Sequence, residues 1–464
     1  MLSIHPLPYP LDAQAVFTRI RDLGDPVLLD SAQPESDLRF GRYDIIAAAP
    51  DVLVRYTRGR TEVRRQGLWN SIESDPVDLL KSLNNEIALG DNNGLPFCGG
   101  LIGHFSYDLG RAFEALSNPA EDDLELPEMR VGRYLWAIVI DHENRCSQLV
   151  CHPRADTRQV DAVHKLLLTE PVSDIQGNAE PAPFRLLSAF ESNLPRPKYM
   201  AAFNRIQEYI LAGDCYQINL TQRFSARCEG DPFHAYRALR KRATTPFSAY
   251  MESGSDAILS LSPERFLKVS DDGEVETRPI KGTRPRGSNE ADDQAFIEEL
   301  RQSEKDRSEN LMIVDLLRND LGKVCEAGSI SVPELFAIET YPNVHHLVSA
   351  VTGQLAEGYT SLDLLKHCFP GGSITGAPKI RAMQIIDELE PHRRGVYCGS
   401  IGYISAAGGM DTSICIRTLL VENGRVYCSA GGGIVADSVG DEEYQESFDK
   451  VNNLLETLSE LGKI

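Results

Sequence analysis

No two of the ten cysteines, Cys98, Cys146, Cys151, Cys215, Cys228, Cys325, Cys368, Cys398, Cys415 and Cys428, form a C-x-x-C pair. Most lie in apolar runs, so they read as reduced core thiols, not as a zinc site or a disulfide framework. No apolar run reaches membrane-spanning length. Residues 1–14 contain prolines but lack the basic n-region and apolar h-region of a secretory leader, which makes the cytoplasm the expected location. Positive charge is scarce too: 47 Lys and Arg stand against 68 Asp and Glu, for a net charge of −21. Such a surface repels phosphate backbones and argues against nucleic-acid binding. It also repels small anions, so a site for one must supply its own cations. Internal repeats and low-complexity tracts are absent.

A chain of 464 residues, 42% of them hydrophobic, can bury a large core without staples. Residues 1–170 mix short alternating stretches with turn signals and form an N-terminal region, with strands expected at 26–30 and 135–141. Residues 171–197, rich in Pro, Ser, Asn and Gly, read as a linker. The region 198–464 alternates helices with hairpins. Helices are expected over 199–212, most of 293–319, 378–389 with Pro378 in its first turn, and 440–461 as one final helix. Grouping of this kind predicts an α+β layered fold, not a parallel βαβ array.

Four constellations could carry chemistry. If the hairpin around 257–281 folds about Asp272, Glu264 falls opposite Ile280 or Lys281 at its open end. Period two puts Lys281 on the same, less polar face as Val275 and Thr277. A lysine in a dry setting loses its proton readily and becomes a nucleophile, and a neighbouring carboxyl can serve as general acid; the plain alternative is a cross-strand ion pair. Asp306 and Glu309 share one helical face, as do Glu443, Glu446 and Lys450. Two such helices could share an oxygen-ligated Mg²⁺, or could simply be solvated acidic faces. Glycines in GGSITGAPK (371–379) and SAGGGIVAD (429–437) read as turns whose amides could bind anions. Neither has Walker A or G-x-G-x-x-G spacing. Arg417, in an apolar run read as a strand, needs a carboxylate from protein or ligand. Tyr403 is a polar handle on a similar run, and His345-His346 sit in another.

Together these segments resemble the chorismate-utilising family that includes anthranilate synthase large subunits and aminodeoxychorismate synthase component I. The matching runs include GDCYQINLTQRF (213–224), SPERF (262–266), RPIKGT (278–283), DLLRND (315–320), GAPK (376–379) and AGGGIV (430–435). The resemblance implies a layered antiparallel β-sheet sandwich with outer helices, and catalytic roles for Lys281, Glu264 and His346. It implies Mg²⁺ on Glu309 and Glu446, supported by Asp306 and Glu443. Chorismate would contact Gly282, Thr283, Thr375, Tyr403, Arg417, Gly431, Gly432, Gly433 and Lys450. Lys281 stands where the anthranilate branch has alanine and the aminodeoxychorismate branch has lysine; Arg284 to Arg286 resemble either branch. The implied reaction attaches Lys281 at C2 of chorismate, Glu264 protonating the departing 4-hydroxyl, before ammonia adds at C4 to give 4-amino-4-deoxychorismate for 4-aminobenzoate and folate. Rival readings are an anthranilate synthase large subunit and a non-catalytic chorismate-binding subunit. No glutaminase segment is visible, so a separate glutamine amidotransferase subunit, in a heterodimer, is expected to supply ammonia. A tryptophan pocket is further implied by Ser31, Phe40, Gly41, Arg42, Tyr43, Pro246, Phe247 and Ser248.

Overall fold

The computed structural model describes residues 1–32, 40–116, 119–169, 182–341 and 344–461. Two antiparallel sheets form its centre. The first runs Ser3–Leu7, Cys146–Cys151, Trp136–Asp141, Tyr43–Ala47, Val27–Asp30, Phe247–Ser253, Asp256–Ser262, Thr418–Glu422, Arg425–Ile434, Gln217–Glu229 and Arg185–Leu186. The second runs Ile280–Pro285, Val344–Gln354, Glu274–Thr277, Arg265–Val269, Met410–Ile414, Ser400–Ser405, Gly100–Phe105, Met129–Tyr134, Val52–Thr57, Arg60–Arg65 and Leu68–Ile72. Both sheets draw strands from each side of the 171–197 segment. Of that segment, residues 171–181 lie outside the described residues, while Arg185–Leu186 and Glu191–Ser192 pair with Gln217–Glu229.

The sheets pack face to face. Val27, Ile45, Ala249, Ile258 and Leu420 of the first meet Ile102, Tyr134 and Ile401 of the second in one buried cluster. The outer face of the first sheet is covered by Ala13–Ile20, Thr157–Leu168, Pro232–Arg242 and Asn452–Glu460. Helices Pro76–Asn85, Glu304–Leu321 and Ser361–Cys368 cover the second. This is the layered α+β arrangement that the alternation of elements predicts and the antiparallel sandwich that the family resemblance implies. All ten cysteines are free, and nine of them are buried. No helix among the described residues is long and apolar enough to cross a membrane.

Two adjacent chain segments leave one sheet and enter the other. Asp256–Ser262 belongs to the first sheet and Arg265–Val269 to the second, so the chain crosses at Pro263-Glu264. Met410–Ile414 and Thr418–Glu422 make the reverse crossing through Cys415, Ile416 and Arg417. The crossings are stitched by Ile414 N–H to the Glu264 carbonyl (3.0 Å) and Leu261 N–H to the Arg417 carbonyl (3.1 Å). Arg417 is therefore not in a strand, as its apolar surroundings suggest, but in a crossover with a left-handed backbone (φ 50°).

Helix boundaries differ from the periodicity in four places. The helix expected over 199–212 is Arg196–Leu211. The stretch 293–319 is two helices, Glu290–Gln302 and Glu304–Leu321, divided at Ser303, whose side chain caps the second through Asp306 N–H (3.2 Å). Pro378 precedes the helix Lys379–Leu389 as its N-cap. The final helix breaks at Lys450-Val451 into Gly440–Asp449 and Asn452–Glu460. The break turns Val451, Leu454 and Leu458 into the core under the first sheet, a burial of roughly 2 kcal/mol per side chain. It leaves Lys450 pointing the other way.

Candidate active site

The two crossings open into a cavity of about 530 Å³ between the sheets and the helices Glu304–Leu321 and Gly440–Asp449. Glu264 is buried in its wall and accepts from Ser373 Oγ at 2.8 Å. Burial pushes its carboxyl up to about 7, against the opposing pull of Ser373 and of the Lys281 charge. Lys281, on Ile280–Pro285, donates from Nζ to the Ser373 carbonyl (3.1 Å). Burial pushes its ammonium down from the ordinary lysine range, although Glu309 and Glu264 pull the other way. Ser373 thus spans the two groups, acid on its hydroxyl and amine on its carbonyl.

The cavity's opposite wall is acidic. Glu304–Leu321 presents Lys305, Asp306 and Glu309, while its other face buries Ile313, Val314 and Leu317. Gly440–Asp449 presents Glu443 and Glu446, followed by Lys450. Lys305 reaches Glu443 at 3.4 Å, and Lys450 bridges Glu446 (2.7 Å) and the Gly431 carbonyl (2.8 Å). Asp306 lies 3.3 Å from Arg284. Burial raises the Glu309 carboxyl against Lys281 and Lys305; at Glu446 the same upward push of burial is overcome by Lys450. A β-carbon at Gly432 would lie 2.9 Å from Glu443 Oε2 and 3.4 Å from Glu446 Oε1, so glycine there gives the acids their room. Among the described residues no three metal-ligating side chains form a ready-made cage. Mg²⁺ needs only one or two carboxylates with water and substrate oxygens, so hard oxygen donors on facing helices fit that ion.

Arg417 lines the same cavity, and burial alone pushes its guanidinium down, with no carboxylate opposing. No hydrogen bond or ion pair reaches that guanidinium among the described residues. An arginine so enclosed and unpaired is held at a cost unless an anion joins it. His346 and Thr283 join side chain to side chain at 2.9 Å on the adjoining strands, and burial holds the imidazole down at about 3, so it is uncharged at neutral pH. Gly282 (φ 78°) packs against helix Glu304–Leu321; its β-carbon would lie 2.9 Å from Asp306 Cγ.

Several expected positions fall elsewhere. Tyr403 does not line this cavity: its strand Ser400–Ser405 sits on the far side of the crossings, and its ring packs on Phe97. Tyr397, missed in the sequence, lines the cavity instead; both tyrosines sit in similar apolar runs, and only the path between sheets separates them. Thr375 is buried with its hydroxyl turned back to the Gly371 (3.1 Å) and Gly372 (3.3 Å) carbonyls, and its neighbour Ser373 faces the cavity. Gly431, Gly432 and Gly433 line the cavity as expected, but within the strand Arg425–Ile434 and not in a turn. Gly431 is required there because a β-carbon would lie 2.1 Å from the Leu220 carbonyl. Two motifs are structural: Lys379 pairs with buried Asp320, tying two helix ends, and His345 is buried against Asp293 (2.9 Å).

A second cavity, also about 530 Å³, lies across the crossings. Phe40, Arg42, Tyr43, Pro246, Phe247 and Ser248 line it with Tyr403 and Arg265. Gly41 and Ser31 do not; the Ser31 hydroxyl donates to Asp44 (2.8 Å) behind the wall. Arg265 lies over both the Phe40 and Phe247 rings, 5.3 and 5.1 Å from their centroids.

The chain is similar to known proteins along nearly its whole length. The chain is 47% identical over 448 residues to aminodeoxychorismate synthase component 1 of Escherichia coli, covering 96% of each chain. It is 36% identical to anthranilate synthase component 1 of Acetivibrio thermocellus, over 97% of this chain and 93% of that one. The solved structure of anthranilate synthase component I from Streptococcus pneumoniae superposes with a TM-score of 0.78 at 33% identity, covering 89% of this chain and 92% of the other. The sequence pattern of the chorismate binding enzyme family matches residues 25–456, and the chain belongs to that family.

Proposed function

We propose that this chain aminates chorismate at C4 to give 4-amino-4-deoxychorismate, using Lys281 as a covalent nucleophile. The observation that carries the reading is a buried amine and a carboxyl held near neutrality sharing Ser373 in one cavity. The greater identity to aminodeoxychorismate synthase components than to anthranilate synthase components supports it. Arg417 would bind the enolpyruvyl carboxylate, with Tyr397 beside it. Glu309 and Glu446, supported by Asp306 and Glu443, would hold Mg²⁺. The ion, when bound, supplies positive charge for the ring carboxylate, with Lys450 nearby.

Chemistry follows in two displacements. Lys281 Nζ forms a bond to ring C2, the ring electrons shift, and the C4–O bond breaks as Glu264 delivers its proton to the leaving hydroxyl, releasing water. Glu264, now a carboxylate, takes the excess proton from the alkylated amine. Ammonia then bonds to C4, the electrons shift back, and the C2–N bond breaks with the proton returned to Lys281. His346 stays uncharged and does not compete for the substrate's carboxylates. Ammonia would come from a separate glutamine amidotransferase subunit, and the product would feed 4-aminobenzoate and folate synthesis in the cytoplasm. The second cavity would suit an indole amino acid such as tryptophan among its aromatic rings.

Product analysis with chorismate, Mg²⁺ and an ammonium salt tests the proposal. 4-Amino-4-deoxychorismate should be the main product. Anthranilate as main product overturns it in favour of substitution at C2, and tight chorismate binding without turnover overturns it in favour of a binding subunit.

A further inference from the structure

The strand Gln217–Glu229 turns Gln217, Asn219 and Thr221 to one face by its two-residue period, and Asn219 and Thr221 line the active cavity. Gln217 is completely buried, yet among the described residues neither its Oε1 nor its Nε2 meets a hydrogen-bond partner, and Asn219 Oδ1 lacks one as well. Each unpaired buried group of this kind costs about 1–3 kcal/mol. Three in one corner ask for a small polar guest. The groups converge on Gly433: a β-carbon there would lie 2.0 Å from Gln217 Nε2 and 3.0 Å from Asn219 Oδ1. Asn219 Nδ2 donates to the Ser373 carbonyl at 3.1 Å, the same oxygen that accepts from Lys281 Nζ at 3.1 Å. The unpaired corner therefore adjoins the nucleophilic amine.

We propose that Gln217 and Asn219 form the binding site for the incoming nucleophile, ammonia in its neutral form. This rests on the amination reading above. Two carbonyl oxygens, Gln217 Oε1 and Asn219 Oδ1, accept two of its N–H groups. The Gln217 Nε2–H donates to its lone pair. Ammonium has no lone pair and would face that N–H unfavourably, so the site selects the reactive species from a cavity whose acids would otherwise favour the cation. In the second displacement the lone pair leaves the Gln217 amide, forms the C4–N bond, and the C2–N bond to Lys281 breaks. The proton lost from the new amine passes to the Glu264 carboxylate, as Glu264 has given its own to Lys281.

The test uses Gln217→Leu, which keeps much of the volume and removes both polar atoms. With an ammonium salt as nitrogen source, KM for ammonia should rise about 30-fold, as loss of two net hydrogen bonds of about 1 kcal/mol each predicts. KM for chorismate should be unchanged, as should the mass added at Lys281 by chorismate without ammonia. An unchanged KM for ammonia overturns the proposal, and so does loss of the Lys281 adduct, which would make Gln217 part of the chorismate site. If Gln217→Leu does not fold, Gln217→Met keeps the length of the side chain and removes both polar atoms, and must show the same selective rise. Failure of the amination reading is separately visible, as an unaltered protein that forms no adduct at Lys281.

Discussion

Replacing Glu264 with Gln should stabilise the protein while nearly silencing it, and the stabilisation should depend on pH. In the folded chain burial lifts the Glu264 carboxyl from an ordinary 4.5 to about 7. Below about pH 4.5 the group is protonated in both states, and folding is not penalised. Between there and about 7 the unfolded chain releases the proton and the folded chain keeps it, so stability falls as pH rises. At about 1.4 kcal/mol for each pH unit between the two values, the total loss is about 3 kcal/mol. Gln has no such titration, is nearly the same shape, and can still accept from Ser373 Oγ. Denaturant unfolding of Glu264→Gln and the unaltered protein should therefore separate by about 2 kcal/mol more at about pH 8.5 than at about pH 5.5. Product formation should fall by about 10²–10⁴-fold, as an amide cannot protonate the leaving hydroxyl. In the unaltered protein, activity should decline above about pH 7 as the acid loses its proton. A stability difference that is equal at both pH values would refute the idea that Glu264 is held uncharged by burial.

Two other outcomes follow from the same geometry. Arg417→Met removes a part-buried cation with no partner among the described residues, so the fold should hold or gain slightly, while KM for chorismate rises by about 10–100-fold; a drop in stability of several kcal/mol would mean that Arg417 has a structural partner. Asp320→Ala leaves the part-buried Lys379 without its carboxylate, so unfolding should become easier by about 2–4 kcal/mol with KM for chorismate unchanged; an intact midpoint would contradict the structural role.

Much of this site was legible because its parts are local. Counting residues from the Asp271–Gly273 turn brings Glu264 beside Ile280 and Lys281, and helical spacing puts Glu443, Glu446 and Lys450 on one face. The need of Arg417 for an anion could be read from charge among apolar neighbours, since burial of an unpaired cation is costly in any fold. What the sequence conceals is set by chain segments far apart. Tyr397 and Tyr403 look alike locally, and only the crossing between sheets sends them to different cavities. The glycines at 431–433 suggest a turn, because the acids and the Leu220 carbonyl that demand them lie elsewhere in the chain. The break at Lys450-Val451 has no Gly or Pro to mark it; packing of Val451 and Leu454 under the first sheet decides it. Gln217 and Asn219 lie in the run 213–224 without a signal of their own, and their meaning comes from amide atoms that meet no hydrogen-bond partner among the described residues.

Intact-protein and peptide mass spectrometry after mixing with chorismate and Mg²⁺, in the absence of any ammonia, goes straight to the covalent step. The account predicts a mass increase equal to chorismate less one water, carried on Lys281 and absent from Lys281→Ala. Chorismate bound without any added mass, or an adduct carried on a residue other than Lys281, would contradict it.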